Sequence, residues 1–457
     1  MPRRSEILIV ANRLPMQRVR GGRWSPSPGG LVTAMTPVLR DRGGAWVGWS
    51  GTAGPAARPF VHDGIRIKPV ELSHGEVEAY YLGFSNRTIW PLYHDAIRTP
   101  TFHRAWWKEY VEINLRFPRA AAKVAQRGQL VWVHDYQLQL VPRILRGLRP
   151  DVRIGFFMHI PFPPDELFAW LPWRREILEG LLGADVVGFQ TYADVQDFSR
   201  SARKFTPAEG TDTRLTYKGR TIRIGTFPIS VDFKSYDALA ADPHVIRHAM
   251  EIRRRVGANR KILLCIDRLD YTKGIDSRLA AFEELLRRSR SHVEDCVLIQ
   301  VAVPSRETVS EYRELRTRVE QIVGRINGEY SLPGSVVAHY FRRSLSRAEV
   351  VAYYRAADIM MVTPLRDGMN LVAKEYAASR HDGSGVLVLS EFAGAAQELR
   401  RALLVNPRDM DGMVRTMETA LRMPASEARF RMSILRTVVR RHDLDEWADS
   451  FLEELSE

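Results

Sequence analysis

The chain has 457 residues, 45% of them hydrophobic and 26% charged, an ordinary globular composition and enough length for two domains of roughly 200 residues each. No apolar run reaches the roughly 20 residues that span a bilayer, and the run behind Arg3 and Arg4 is too short for a secretory core; the expected location is the cytoplasm, with no membrane partner. The net charge of +13 comes from arginines spread along the whole chain with no basic block or arm, which argues against nucleic acid and suits a protein whose ligands carry phosphate.

Short β-rich apolar runs alternate with longer helical patterns from end to end. The predicted strands are Ile7–Ala11, Leu130–His134, Ile154–Ile160, Asp185–Phe189, Ile262–Ile266, Val297–Val301, Ile359–Thr363 and Val386–Leu389. Most are continuously apolar, as parallel strands covered on both faces are. Stretches such as Gln139–Leu148 and Ser277–Arg288 carry apolar residues at helical spacing. The fold class this predicts is α/β, with two doubly wound, Rossmann-like parallel-sheet domains. The composition changes character near 230–245, so one domain is expected over 1–235 and a second over 236–440, with a last helix at about 441–457 packing back on the first. Ligands of such sheets bind at the carboxyl ends of strands, and a cleft between two of them is the expected site. Cys265 and Cys296 lie inside apolar runs and read as buried small hydrophobes rather than a disulfide or metal pair.

Polar motifs sit where those strands end. Ser25-Pro-Ser-Pro-Gly29-Gly30 precedes a predicted helix from Leu31, and its glycines serve either a plain turn or the approach of backbone amides to a phosphate. Trp132-Val-His-Asp135-Tyr136 closes a strand; as a residue type in that place, Asp135 reads first as a helix N-cap. His159 ends a fully apolar run and is followed by Pro161-Phe-Pro-Pro164, so it is either a core histidine or a ring that the prolines present to a cleft. In Asp267-Arg268-Leu-Asp-Tyr-Thr-Lys273-Gly274 a guanidinium and an ammonium share one loop after a strand, a pairing suited to the charge that develops on a departing diphosphate. In Arg366-Asp367-Gly368-Met369-Asn370-Leu371-Val372-Ala-Lys-Glu375 a glycine turn opens a helix whose amides can bind phosphate or sugar hydroxyls, while Glu375 can accept from a ribose diol. Asp409-Met-Asp411 and Asp443-Leu-Asp445 have the Asp-x-Asp spacing of metal-dependent transferases, but both stand at helix starts and read as caps; no metal is expected.

Taken in order, these segments resemble the trehalose-6-phosphate synthase family. The resemblance also runs through Trp46-Val-Gly-Trp49-Ser-Gly51, Tyr80-Tyr81, Trp90-Pro91, Pro304-Ser-Arg306, Arg325-Ile-Asn-Gly328 and Ser390-Glu-Phe-Ala-Gly-Ala-Ala396, nearly the whole chain, and is weakest over Tyr192–Thr221. It implies the GT-B architecture and a retaining transfer of glucose from a nucleotide-sugar (NDP-glucose, a co-substrate rather than a cofactor) to glucose 6-phosphate. By resemblance, Arg268 and Lys273 would hold the donor diphosphate with Gly29 and Gly30 close by. Asp367, Gly368, Met369, Asn370, Leu371 and Val372 would line the donor, His159 its glucose and Glu375 its ribose. Arg13, Trp49, Tyr81, Trp90, Asp135 and Arg306 would form the acceptor pocket, the two arginines on its phosphate. A related synthase with another phosphorylated acceptor, a pseudo-glycosyltransferase and a silent sugar-phosphate sensor are the alternatives; the donor base and a homo-oligomeric state stay open.

Overall fold

The computed structural model describes residues 6–18, 24–27, 30–289, 291–306 and 309–457. Two compact units emerge, Met1–Pro228 with Asp445–Glu457, and Ile229–Leu444. The crossing at Pro228–Ile229 precedes the expected 235/236 division, because the Arg220–Thr226 strand is the last element the chain gives to the first sheet.

In the first unit Ile7–Arg13 lies between Leu130–His134 and Gly44–Trp49, parallel to both. Parallel pairing continues outward through Arg153–Phe157, Val186–Phe189 and Arg220–Thr226 on one side and Ile65–Val70 on the other. Antiparallel strands close the edges of this ten-stranded sheet, Phe60–His62 at one end, Arg214–Tyr217 and Glu209–Gly210 at the other. The poorly matching segment at Tyr192–Thr221 thus forms a helix, Tyr192–Phe205, and an antiparallel edge. The final helix, Leu444–Ser456, packs on this sheet: Phe451 stacks on Trp132 at 4.4 Å and Trp447 donates to Phe227 O at 3.1 Å. Two glycines make that seat. A Cβ at Gly155 or Gly188 would come within 2.6 or 2.7 Å of the Phe451 ring.

The second unit is a six-stranded, all-parallel sheet in the order Ala338–Phe341, Cys296–Val303, Lys261–Arg268, Ile359–Val362, Val386–Ser390, Leu403–Val405. Cys265 and Cys296 are buried thiols, and burial pushes each up to about 12. The carboxyl ends of three neighbouring strands are tied by one side chain. Arg278, fully buried on the Ile275–Arg288 helix, pairs with Asp267 and donates to Gln300 Oε1 at 3.0 Å, Thr363 Oγ1 at 3.2 Å and Met361 O at 3.2 Å. A buried cation is tolerated only with such partners, and breaking a buried pair from one side leaves the other charge uncompensated. Arg278→Met is therefore expected to lower the unfolding free energy by about 3–5 kcal/mol, read from denaturant midpoints; a midpoint equal to that of the parent chain would contradict this role.

Candidate functional site

In the second unit the motif after the Lys261–Arg268 strand folds around a carboxylate that sequence reasoning passed over. Asp270, with no exposure, accepts from Thr272 N at 3.0 Å and Thr272 Oγ1 at 2.9 Å, which closes the turn Tyr271–Lys273. Its other oxygen meets Arg306 Nη1 at 3.1 Å and Tyr312 Oη at 3.2 Å. Burial would raise the Asp270 carboxyl, but Arg306, then Arg268 and Lys273, hold it at about 2. Gly274 follows at φ 62°, where a Cβ would lie 2.7 Å from Thr363 O; glycine is required there. Arg268 is exposed at the strand end, whereas Lys273 is buried and paired with Asp367.

The loop bearing Asp367 and Gly368 is fastened from below. Asp367 N donates to Phe392 O at 3.1 Å, Gly394 N to Asp367 O at 3.2 Å and Ala395 N to Met369 O at 2.9 Å. A Cβ at Gly394 would sit 2.0 Å from Gly368 O, which explains the glycine in Glu391-Phe-Ala-Gly394. Asn370 turns the chain at φ 73° and donates to Asp367 Oδ2 at 2.9 Å, so the Leu371–Ser379 helix starts two residues later than Met369. Among the described residues no side chain caps that helix, and the buried Asn370 Oδ1 has no hydrogen-bond partner. Helix amides without a cap are suited to an anion. Leu371 and Val372 are half-buried beside them, and Met369 is buried. Further along, the Glu375 carboxyl accepts from Tyr354 Oη at 2.8 Å; burial raises it, against the lowering effect of Tyr354, Tyr236 and Arg347. Tyr236 and Tyr354 are far from Glu375 in sequence and carry no motif that could have announced them.

In the first unit Arg13 ends the central strand with its guanidinium 4.2 Å from the Trp49 ring centre and 5.4 Å from that of Tyr81, the two rings meeting edge-on at 5.7 Å. Gly51, at φ 89°, clears the way: a Cβ there would fall 1.8 Å from Arg13 Nη1. Tyr81 rides on an unusually wide helical segment, Val77–Ile89, whose last turn closes Trp90 N onto Ser85 O; such i→i+5 winding is rare and concentrates at functional sites. Trp90 is buried against His94 at 4.2 Å and Tyr136 at 5.6 Å.

Asp135 corrects the capping expectation. It sits at φ 76° and gives the turn Tyr136–Leu138 no side-chain cap; its Oδ1 instead accepts the backbone N–H of His159 at 3.2 Å. The half-buried His159 ring packs beside Phe157 and accepts or donates one bond, His159 Nε2 to His134 Nδ1 at 3.1 Å. Gly30 begins the helix Gly30–Arg42, and Gly29 lies outside the described residues. Asp409 is a helix cap, accepting from Gly412 N at 2.9 Å, and Asp411 pairs with Arg288. Among the described residues no group of three His, Cys, Asp or Glu has metal-binding geometry, and no helix is long and apolar enough to cross a membrane.

Two Rossmann-like units, one offering cations and an uncapped helix end, the other a guanidinium set among aromatic rings, define a GT-B glycosyltransferase. The sequence profile of glycosyltransferase family 20 matches residues 5–457, and the chain belongs to that family. It is 52% identical over 99% of its length to the trehalose-6-phosphate synthase of Mycobacterium leprae, covering 95% of that protein. Its structure is similar to that of the Escherichia coli protein bound with UDP-2-fluoro glucose (TM-score 0.92, 34% identity, 99% of each chain). It is equally similar to a UDP-forming α,α-trehalose-phosphate synthase from Burkholderia xenovorans in complex with glucose-6-phosphate (TM-score 0.92, 33% identity, 99% of this chain and 100% of the other).

The paired histidines have a consequence for stability. Burial drives His134 well below the ordinary 6.5, helped by His159, and burial drops His159 to about 3. Both are neutral when folded and take up protons when unfolded, so their contribution is intact above pH 6.5 and is lost as pH falls toward 3. His159 should remove about 1.4 kcal/mol per pH unit across that window, and His134 acts in the same direction. Denaturant unfolding at pH 7.5, 6 and 5 should show this decline, and His159→Gln should make it shallower; a slope that His159→Gln leaves unchanged would contradict the assignment.

Proposed function

We propose that the chain transfers glucose from NDP-glucose to glucose 6-phosphate with retention, giving α,α-trehalose 6-phosphate and NDP, and that it does so in the cytoplasm. The observation that carries the acceptor is Arg13: among the described residues its guanidinium meets two aromatic rings and no carboxylate. A cation held that way keeps its N–H groups for a phosphate dianion, to which it can bond bidentately. Trp49, Tyr81 and Trp90 supply flat apolar faces for a sugar ring, Asp135 an acceptor for its hydroxyls, and Arg306 the second guanidinium. The complexes of the Escherichia coli and Burkholderia xenovorans relatives, with a UDP-sugar and with glucose-6-phosphate, support a nucleotide-sugar donor and this acceptor.

On the donor side, Arg268 and Lys273 take the diphosphate, with Gly29 and Gly30 near it. Asp367 now occupies Lys273, so donor binding exchanges one anion for another on the same ammonium. The uncapped amides of Leu371 and Val372, with Gly368, Met369 and Asn370, line the phosphates and sugar, His159 meets the glucose, and Glu375 accepts from the ribose. As the bond to the anomeric carbon breaks, negative charge grows on the diphosphate and positive charge on the sugar. The departing phosphate oxygen takes the proton of the acceptor hydroxyl that attacks from the same face. Arg268 and Lys273 stabilise that oxygen without having to reorganise, and the remaining side chains hold the reactants in place.

Losing one such electrostatic donor typically costs about 10²–10³ in rate, so Arg268→Ala and Lys273→Ala should each lower kcat by that order while circular dichroism stays that of the parent; near-normal turnover in a folded Arg268→Ala chain would remove the diphosphate assignment. Arg13→Ala should raise KM for glucose 6-phosphate far more than KM for the nucleotide-sugar, and the reverse pattern would misplace the acceptor. Turnover should also survive excess chelator, since Asp409 and Asp411 are engaged as a helix cap and an Arg288 partner; a loss restored by Mg²⁺ or Mn²⁺ would return them to consideration as ligands.

A further inference from the structure

His134 has no place in the reaction described so far, yet it touches a residue that does. It ends the Leu130–His134 strand, in register with Phe157 on one side and Ala11 on the other, and its side chain is fully buried. Its Nδ1 lies 3.1 Å from His159 Nε2, with the rings 28° from parallel. Its second nitrogen, Nε2, is buried and has no hydrogen-bond partner among the described residues. The Trp132 ring centre is 4.8 Å from its own, and Phe157 and Trp447 flank His159 at 4.7 and 6.3 Å, so the pair sits in aromatic surroundings. His159 is also fixed through its backbone, whose N–H donates to Asp135.

One proton occupies the bond between the rings, and its owner decides what each ring offers elsewhere. If His159 Nε2 carries it, His134 bonds through a bare Nδ1 and must hold its own proton on Nε2. That would be a buried N–H with no acceptor, which retains the cost of desolvation and recovers no bond; orphaned buried donors are rarer than orphaned acceptors for this reason. If His134 Nδ1 carries it, the orphan at His134 Nε2 is only a lone pair beside aromatic carbon. His159 then accepts at Nε2 and carries its proton on Nδ1. That nitrogen has no hydrogen-bond partner among the described residues, and it is not one of the buried polar atoms left unpaired.

We propose that His134 is a positioning residue that locks His159 in the Nδ1–H tautomer, so that His159 presents a hydrogen-bond donor, and not an acceptor, to an oxygen of its ligand. In a neutral ring each nitrogen's role is set by the bond the other makes. The consequence for catalysis rests on the reading of His159 as a contact of the donor glucose. A neutral N–H donor there can hold a sugar oxygen without placing a full cation near an anomeric carbon that is itself becoming positive. Burial keeps both rings neutral, which agrees with this arrangement.

Long-range ¹H–¹⁵N correlation spectra of the ring-labelled, ligand-free full chain at neutral pH read the tautomers directly; among its 12 histidines, His134 and His159 are assigned with the variants His134→Gln and His134→Phe. The expected result is Nδ1–H at both positions. His134→Gln keeps an N–H donor and should preserve the His159 tautomer and the nucleotide-sugar kinetics. His134→Phe should release the tautomer and raise KM for the nucleotide-sugar about tenfold or more, with KM for glucose 6-phosphate little changed. A wild-type His159 protonated on Nε2, or on both nitrogens, overturns the proposal whether or not either variant folds. An Nδ1–H His159 that loses this tautomer in His134→Phe without any change in nucleotide-sugar kinetics supports the lock and overturns the glucose contact instead.

Discussion

Three cations gathered near the carboxyl ends of the second sheet's strands each rest against a carboxylate: Arg278 on Asp267, Arg306 on Asp270 and Lys273 on Asp367. The rest of the site depends on this pairing. Unpaired, charges this deeply buried would cost several kcal/mol apiece in desolvation (about that order for each ion) and the strand ends could not close over them. Paired, they fix the loops after Lys261–Arg268 and Ile359–Val362, where the diphosphate is proposed to bind. The pairs are not equivalent. Arg278 is sealed between its helix and the sheet and serves the scaffold, while the carboxylates on Lys273 and Arg306 are the ones that the proposed phosphate ligands would have to displace.

The backbone pays for the arrangement at a few points. Asp135, Arg306 and Asn370 all have positive φ, at 76°, 47° and 73°, although none is glycine. Such conformations cost about 1–3 kcal/mol each and persist only where neighbours over-determine them. Here the neighbours are named: Phe157 O takes the Asp135 N–H at 2.8 Å, Asp270 and Tyr312 hold Arg306, and Asp367 holds Asn370. Three of the positions singled out in the sequence are thus points of stored strain, as expected of pre-organised sites.

Much of this was legible in the sequence because parallel strands buried on both faces leave continuous apolar runs, and because the motifs fall where those runs stop. Each of the predicted strands is present, and Arg268, Lys273, Asp367 and Glu375 all stand at strand ends or the helix start that follows. What the sequence hid was partnership between distant residues. Asp135 looks like a helix cap until His159 N–H is seen to claim its carboxylate, and nothing in the Arg366–Glu375 motif shows that Tyr354 and Tyr236 close around Glu375. Asp270 stood inside a quoted motif without a role, because its partners Arg306 and Tyr312 belong to another loop and helix. The wide turn at Val77–Ile89 has no periodicity that distinguishes it from an ordinary helix. Composition bears on none of these; only the three-dimensional pairing does.

In the proposed reaction a phosphorylated sugar completes the site and glucose is moved to it with retention. The most direct test measures nucleotide release from NDP-glucose with no acceptor, with free glucose and with glucose 6-phosphate, and determines the linkage of the product. Release should depend on glucose 6-phosphate, with little from glucose, and the product should be an α,α-linked disaccharide phosphate. Equal release with free glucose, or a product of inverted configuration, would contradict it.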